Sequence, residues 1–332
     1  MSSVTTAAKH EHDRLAAGAV PAIEANGLRK VFGDAVAVAD LTFSVAQGEV
    51  FGFLGPNGSG KSTTVKLLTG LIRATNGDAR LLGKRIGDRE VKRHIGYLPE
   101  LFRFHDWLTA SEFLDVHGRL AGMSRAARRQ RIPEALELVG LAGRGDERLR
   151  TFSKGMQQRA GLAQALLHGP RLIFLDEPTS ALDPIGRRIV RDVIRELSAA
   201  GTTVFLNSHL LSEVELVCDR VAILNRGVVV AAGRLDELRP GGYSVTLRID
   251  GWTSERQTLL AQLGSIDSRE DVSAGLTVLA LTLASEDAIA DLIAKLIAGG
   301  VRVFEVSPRS ETLEDLFVRL VDQSDGMDLT TT

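Results

Sequence analysis

The chain has 332 residues, 44% hydrophobic and 25% charged, with a formal net charge of −2. That length admits two domains with sizeable cores, and the near-neutral balance gives no reason to expect nucleic acid as a partner. A single cysteine, Cys218, excludes an internal disulfide framework and suits a reducing cytoplasm.

Residues 1–21 are small, polar and aperiodic, and read as a disordered tail. Lys9-His10-Glu11-His12-Asp13 has metal-ligand residue types, but such a tail cannot fix ligand geometry, so no metal is expected there. Ala22-Ile23-Glu24-Ala25 and Leu41-Thr42-Phe43-Ser44-Val45 alternate as half-buried antiparallel strands do. Val31-Phe32-Gly33-Asp34 forms a turn with an aromatic tip between them. After Gln47-Gly48 comes an apolar run, Val50-Phe51-Gly52-Phe53-Leu54, which reads as a buried strand.

The next eight residues, Gly55-Pro56-Asn57-Gly58-Ser59-Gly60-Lys61-Ser62, fit the phosphate-loop pattern G-x-x-x-x-G-K-[ST], and Ser62-Thr63-Thr64 opens a helix. Strand, glycine loop and helix supply inward-facing N–H groups and a positive helix end for an anion. Lys61 is placed to bridge the outer phosphates and the Ser62 hydroxyl to ligate Mg²⁺.

A mostly helical insertion is expected over about 88–165. It holds a capping box at Thr109-Ala110-Ser111-Glu112, and a basic helix after Ser124 with Arg125, Arg128, Arg129 and Arg131. Pro133 is expected to restart a helix there. The basic face is either solvated or turned to an acidic loop or anionic lipid headgroups. The aromatics in Leu101-Phe102-Arg103-Phe104-His105-Asp106-Trp107-Leu108 either pack inside this insertion or form a groove for a partner helix.

Two further uncharged runs, Leu172-Ile173-Phe174-Leu175 and Thr203-Val204-Phe205-Leu206, read with the first as parallel strands buried on both faces. They end in Asp176-Glu177 and Asn207-Ser208-His209, and ligands of open parallel sheets bind at such strand ends. Asp176 is suited to hold Mg²⁺, Glu177 to orient and deprotonate water, and His209 to touch the terminal phosphate or Glu177. The competing reading is an acidic pair that caps a helix at Pro178. Downstream come a helix with Cys218 as a small core residue, and a hairpin turning at Asn225-Arg226-Gly227. After a linker at Arg239-Pro240-Gly241-Gly242 lies a β-α-β-β-α-β-α tail. Its named elements are strands over 245–249, 276–283 and 301–306 and helices over 255–263, 287–297 and 312–321. No run reaches the ~18 apolar residues of a membrane helix, and no signal-type core opens the chain, so a soluble protein is expected.

The motifs Phe32, residues 55–62, Phe152-Ser153-Lys154-Gly155-Met156-Gln157-Gln158-Arg159, residues 172–177, Ser180-Ala181-Leu182-Asp183-Pro184 and His209 stand in this order. Over residues 22 to about 237 the chain thereby resembles the nucleotide-binding subunit of ATP-binding cassette (ABC) transporters. The resemblance implies Phe32 stacked on adenine, a Walker A loop from Gly55 to Ser62 with Thr63 also binding nucleotide, and a switch histidine at His209. It also implies a D-loop with Asp183, and a signature, Ser153, Lys154, Gly155 and Met156, that binds the ATP of a partner subunit. Two departures stand out. Glu100, in Gly96-Tyr97-Leu98-Pro99-Glu100, replaces a glutamine that touches Mg²⁺. The signature differs from L-S-G-G-Q at Phe152, Lys154 and Met156.

The expected fold is α/β. Residues 22–238 hold a phosphate-loop NTPase parallel sheet with an antiparallel β subdomain and a helical subdomain; 243–322 form a small C-terminal α+β domain, and 323–332 fray. The implied cofactors are ATP and Mg²⁺. The implied partners are a transmembrane permease subunit and a second copy or a paralogous ATPase, at the cytoplasmic face of the membrane. The tail, ending near Leu313-Glu314-Asp315-Leu316-Phe317, looks like exporter ATPases of the drug-resistance type. A cassette serving translation or DNA, or an importer ATPase, is the alternative.

Overall fold

The computed structural model describes residues 20–327, apart from 102–103, 239–242, 254–256, 258–259, 261–263, 273–274, 284 and 310–311. The cluster at Lys9 to Asp13, the linker at Arg239 to Gly242 and most of the helix expected over 255–263 therefore lie outside the described residues, as does Phe102. Two compact units divide the chain: one runs to Leu238 and takes in Phe317 onward, the other is Arg239–Leu316.

The first unit opens with a hairpin, β1 (Ile23–Phe32) and β2 (Ala35–Val45), longer than the sequence pattern implied. The turn residues between them let both strands run on until Phe32 pairs with Ala35. Next come β3 (Val50–Leu54), buried throughout, and α1 (Lys61–Leu68). Two short strands follow, β4 (Asn76–Leu81) and β5 (Lys84–Arg85), then one helical turn, α2 (Arg89–Lys92).

Here the expected insertion needs correcting. Residues 95–98 are a strand, β6 (Ile95–Leu98), paired in parallel with residues 172–175, so the helical subdomain begins only beyond it. Four residues with a glycine among them carry too little pattern to register as a strand; the neighbouring strand supplies the ladder. The helices are α3 (Ala110–Leu120), α4 (Arg125–Leu138) and α5 (Lys154–Leu166). Thr109 forms the full capping box with Glu112. Pro133 restarts nothing: it sits inside a continuous α4. A proline removes one helical hydrogen bond, which burial of Ile132, Ala135 and Leu136 around it offsets.

The remaining elements of this unit are β7 (Leu172–Asp176), α6 (Pro184–Ala199), β8 (Thr203–Asn207), α7 (Leu211–Glu215), β9 (Arg220–Asn225), β10 (Val228–Arg234) and α8 (Leu235–Leu238). All ten strands form one sheet in the order β5-β4-β1-β2-β10-β9-β3-β8-β7-β6. Parallel pairing links β9, β3, β8, β7 and β6; the β1, β2, β4 and β5 end is antiparallel. The expected α/β architecture is thus present, with β6 and β9 adding to the three parallel strands read from sequence.

The core is aromatic where the two parts meet. Phe53 lies 5.0 Å from Phe205 and 5.5 Å from Phe43, and Phe174 lies 5.4 Å from Phe205, between ring centroids. Each fully buried ring contributes about 1.5–3 kcal/mol. Below them Arg220 spans β9 and β3, donating to Glu49 at 3.2 Å, while burial holds the Glu49 carboxyl above its ordinary range against that pairing. Cys218 sits against β3: a Cβ on Gly52 would come within 3.1 Å of its Sγ, and burial pushes the thiol up.

The second unit has four antiparallel strands in the order β12-β13-β11-β14, from β11 (Tyr243–Asp250), β12 (Gly264–Val272), β13 (Leu276–Leu283) and β14 (Val303–Arg309). Val245, Leu247, Leu279 and Leu281 pack with Leu292 and Leu296 of α9 (Glu286–Ala298). The strand β12, not placed from sequence, is an edge with charged Asp267, Arg269, Glu270 and Asp271, which hides the usual apolar alternation. The last helix, α10 (Leu313–Met327), continues past the point where fraying was expected.

Candidate nucleotide site at the strand ends

Residues 55–62 join β3 to α1 by left-handed backbone at Gly58 (φ 82°) and Gly60 (φ 104°). Gly60 has no alternative: a Cβ there would stand 2.4 Å from Ala37 O. Lys61 folds back over its own loop, with Nζ donating to Gly55 O at 2.7 Å and Pro56 O at 3.1 Å. The Ser59 carbonyl accepts from Gly227 N at 3.0 Å, so the hairpin turn at Asn225-Arg226-Gly227 braces the loop from behind. Burial lowers the Lys61 pKa, while Glu177, Asp176 and Glu100 oppose that shift.

Asp176 and Glu177 reach the lysine because β3, β8 and β7 are neighbours and parallel. Their register sets Asp176 opposite Asn207. Asn207 Nδ2 donates to Asp176 Oδ1 in a short contact, and Asn207 O accepts from Glu177 N at 2.8 Å. The chain then turns sharply: Glu177 has φ 53°, left-handed backbone for a residue with a full side chain. That conformation costs about 1–3 kcal/mol and persists only where the surroundings hold it. Gln158 Nε2 and Ser180 Oγ both donate to Glu177 O, at 3.3 and 3.1 Å. The Glu177 side chain meets His209, whose Nδ1 lies 2.6 Å from Oε2. Burial raises the carboxyl pKa of Glu177, against the pull of His209 and Lys61. Burial likewise raises Asp176, with Asn207 opposing.

The donor set fits a magnesium nucleotide. Ser59 Oγ and Asn207 Oδ1 are buried without a hydrogen-bond partner among the described residues. Asp176 keeps one carboxylate oxygen beyond the one that Asn207 engages. A cationic amine, a hydroxyl and a carboxylate are the groups that hold phosphate and a hard divalent cation. Thr63 is half-buried on the first turn of α1, and Glu100 is exposed beside the group. Phe32 is 50% exposed at the tip of the first hairpin, with Lys30 Nζ 4.7 Å above its ring.

The signature residues lie elsewhere in the chain. Ser153 caps α5, its Oγ accepting from Met156 N at 3.2 Å, and Lys154 is exposed. A Cβ on Gly155 would come within 3.2 Å of Leu182 Cδ2, so the helix start rests on the D-loop. Asp183 caps α6 through Gly186 N at 2.8 Å. Among the described residues no hydrogen bond or ion pair joins Ser153, Lys154, Gly155 or Met156 to residues 55–62. Sequence reading placed Gln158 in the signature, Ser180 in the D-loop and Asn207 in a strand-end cluster, but not in the bracing of Asp176 and Glu177. A polar residue closing an apolar strand next to the Asp176 strand was the available signal for Asn207.

Residues 38–180 match the family described as ABC transporter. An uncharacterized ABC transporter ATP-binding protein, all4389 of Nostoc sp., is 41% identical over 292 residues, covering 87% of this chain and 84% of that one. The chain belongs to the ABC transporter ATP-binding protein family. The linearmycin resistance ATP-binding protein LnrL of Bacillus subtilis is 32% identical to it, covering 91% of this chain and 99% of that one. Among solved structures, the dimeric post-hydrolysis state of the ATP-binding cassette MJ0796, bound to ADP and Pi, aligns with a TM-score of 0.60. It is 26% identical, over 64% of this chain and 98% of that one. This ABC cassette is an ATP hydrolase, and its α/β fold is that of the solved cassettes.

Proposed function

We propose that the chain powers an exporter whose membrane-spanning part is a separate polypeptide, working from the cytoplasmic face of the membrane. Among the described residues no helix is long and apolar enough to cross a membrane, and LnrL, similar over nearly its whole length, is named for linearmycin resistance. The observation that carries the catalytic part is the Glu177–His209 pair at the ends of adjacent strands, beside Lys61.

In this reading the loop from Gly55 to Thr63 wraps the phosphates, and Lys61 leaves its carbonyl partners to neutralise the outer ones. Phe32 offers its ring to the adenine. Ser62 and Asp176 would hold Mg²⁺, with Glu100 nearby, and the bound cation supplies charge neutralisation on the phosphates. Glu177 orients the attacking water and takes its proton. His209 fixes the Glu177 carboxylate and reaches toward the terminal phosphate. Ser153 and its turn complete a site on a second copy or a paralogous ATPase, with Asp183 holding the D-loop beside it.

The aromatic loop is the surface offered to the permease, with a change in which residues serve. Phe104 turns inward and meets Phe113 edge-on at 5.6 Å. Leu101 and Trp107 stay 84% and 69% exposed, Trp107 with its ring tilted against His105 at 5.0 Å. Trp107→Glu is expected to abolish transport in vesicles while sparing basal ATP hydrolysis. Normal transport by that variant, or failure of any membrane protein to co-purify with the wild-type chain, would overturn the reading.

A further inference from the structure

We propose that the end of α3 and the helices flanking it form a docking surface for anionic phospholipid headgroups. Two open clefts lie on either side of this helix end. The first, about 650 Å³, has Arg89, Lys92 and Arg93 on one wall and His117, Gln164 and His168 on the other, with no acidic residue in its lining. The second, about 640 Å³, is lined by Arg119, Arg125, Arg128 and Arg129 around one carboxylate, Asp115.

The local acids are already engaged. Asp115 accepts from Arg119 at 2.7 Å and from Arg128 at 2.6 Å. Glu90 pairs with Lys84, Glu134 with Arg131, and Asp88 caps α2. Arg89, Lys92, Arg93, Arg125 and Arg129 have no ion-pair partner among the described residues. A chain of net charge −2 thus gathers five unneutralised cations at one place.

Leu120 decides the occupant. It stands 79% exposed at the end of α3, on the rim of the first cleft. An exposed Leu120, with Ile95, Ala121 and Leu167 also in the lining and Arg89, Lys92 and Arg93 in the same cleft, suits the boundary between headgroups and acyl chains. An amphipathic peptide helix would need a continuous apolar floor, and the second cleft has only charged lining. Clusters of Lys and Arg near an anionic leaflet attract it, each adding roughly a fivefold gain in binding.

This inference rests on the exporter reading only for the presence of a membrane nearby. The test is flotation of the full chain with vesicles that carry no permease, so the two readings fail separately. Vesicles containing phosphatidylglycerol should bind the chain, phosphatidylcholine alone should not, and high salt should release it. The triple variant Lys92→Gln, Arg125→Gln, Arg129→Gln should bind on the order of a hundredfold more weakly, three cations each contributing a factor of about five. Its ATP hydrolysis in solution should be unchanged, which checks that it folds. Leu120→Ser is the second variant and should weaken binding without altering its salt dependence. Equal binding to both vesicle types, or wild-type binding by the triple variant, overturns the proposal. So does displacement by millimolar glycerol phosphate, which would assign the clefts to a free phosphomonoester. If the triple variant loses a co-purifying permease while wild-type chain ignores anionic vesicles, the surface belongs to an acidic protein segment, and the lipid assignment falls.

Discussion

In the proposed function the strand-end cluster and the start of α5 supply the two halves of an ATP site, and the fold treats them differently. At the strand ends nearly every polar group is held by another. Asn207 fixes Asp176, His209 meets Glu177, and Gln158 and Ser180 brace the carbonyl beneath the strained Glu177 backbone. At the start of α5 the Ser153 side chain is tied only to its own helix, through Oγ to Met156 N, and Lys154 faces solvent. In that reading the first region acts, its carboxylates already held in place by Asn207 and His209. The other is built to be presented. Preorganised charge lowers a barrier because it need not rearrange during reaction. A presented hydroxyl and a glycine-smoothed backbone suit a ligand that another chain brings.

The largest expected effect tests the fixed region. Glu177→Gln removes the proposed base yet keeps the shape of the side chain. Phosphate release should fall about 10²–10⁴-fold, the usual range for general base catalysis, while nucleotide binding persists. Near-normal turnover would move the chemistry away from Glu177 and leave its left-handed backbone unexplained.

The next effect is on affinity. Lys61→Ala removes the cation from the loop, and hydrogen bonds to charged groups contribute about 1.5–3 kcal/mol, so ATP binding should weaken roughly ten- to hundredfold. Equilibrium titration with nucleotide measures this. Unchanged affinity would mean that the contacts with Gly55 O and Pro56 O are the resting place of the lysine in the loaded site as well.

The legibility of these regions follows from the reach of their interactions. The phosphate loop announces itself because its chemistry is local: eight consecutive residues between a strand and a helix. Asp176, Glu177 and His209 could be placed because uncharged strands point to their own ends. Asn207 could not be given its role, because its partner lies 31 positions away and only the parallel register of β7 and β8 joins them. The strand β6 was missed for a related reason. Its order comes from pairing with β7 rather than from its own four residues. Pro133 misled in the opposite direction: a strong local breaker was overridden by burial around α4.

A mixing experiment breaks or keeps the contrast between the regions. Ser153→Arg should cut hydrolysis at least tenfold on the charged-contact scale, with little change in single-chain nucleotide binding. Mixed with Glu177→Gln chains, it should regain activity. In a heterodimer one site then has an intact Glu177 and an intact opposing signature. With random pairing of two chains, activity should return to roughly a quarter of wild type. No recovery would mean that Ser153 serves its own chain, and that the two regions form one site after all.

The smallest effect concerns the rim. Phe32 is half-exposed, and Lys30 covers one face of the ring that the proposed function offers to adenine, while also donating to Arg73 O at 2.9 Å. An exposed cation–π contact contributes about 0.5–1 kcal/mol, and base stacking on an aromatic about 1–3 kcal/mol. Adenine therefore displaces the lysine with only a modest net gain. Phe32→Ala should weaken ATP binding by a few-fold, less than full stacking would suggest. Lys30→Gln should strengthen it about two- to fivefold, by freeing the ring. If Lys30→Gln instead weakens binding, the lysine is a nucleotide contact in its own right, and the rim joins the fixed region rather than standing apart from it.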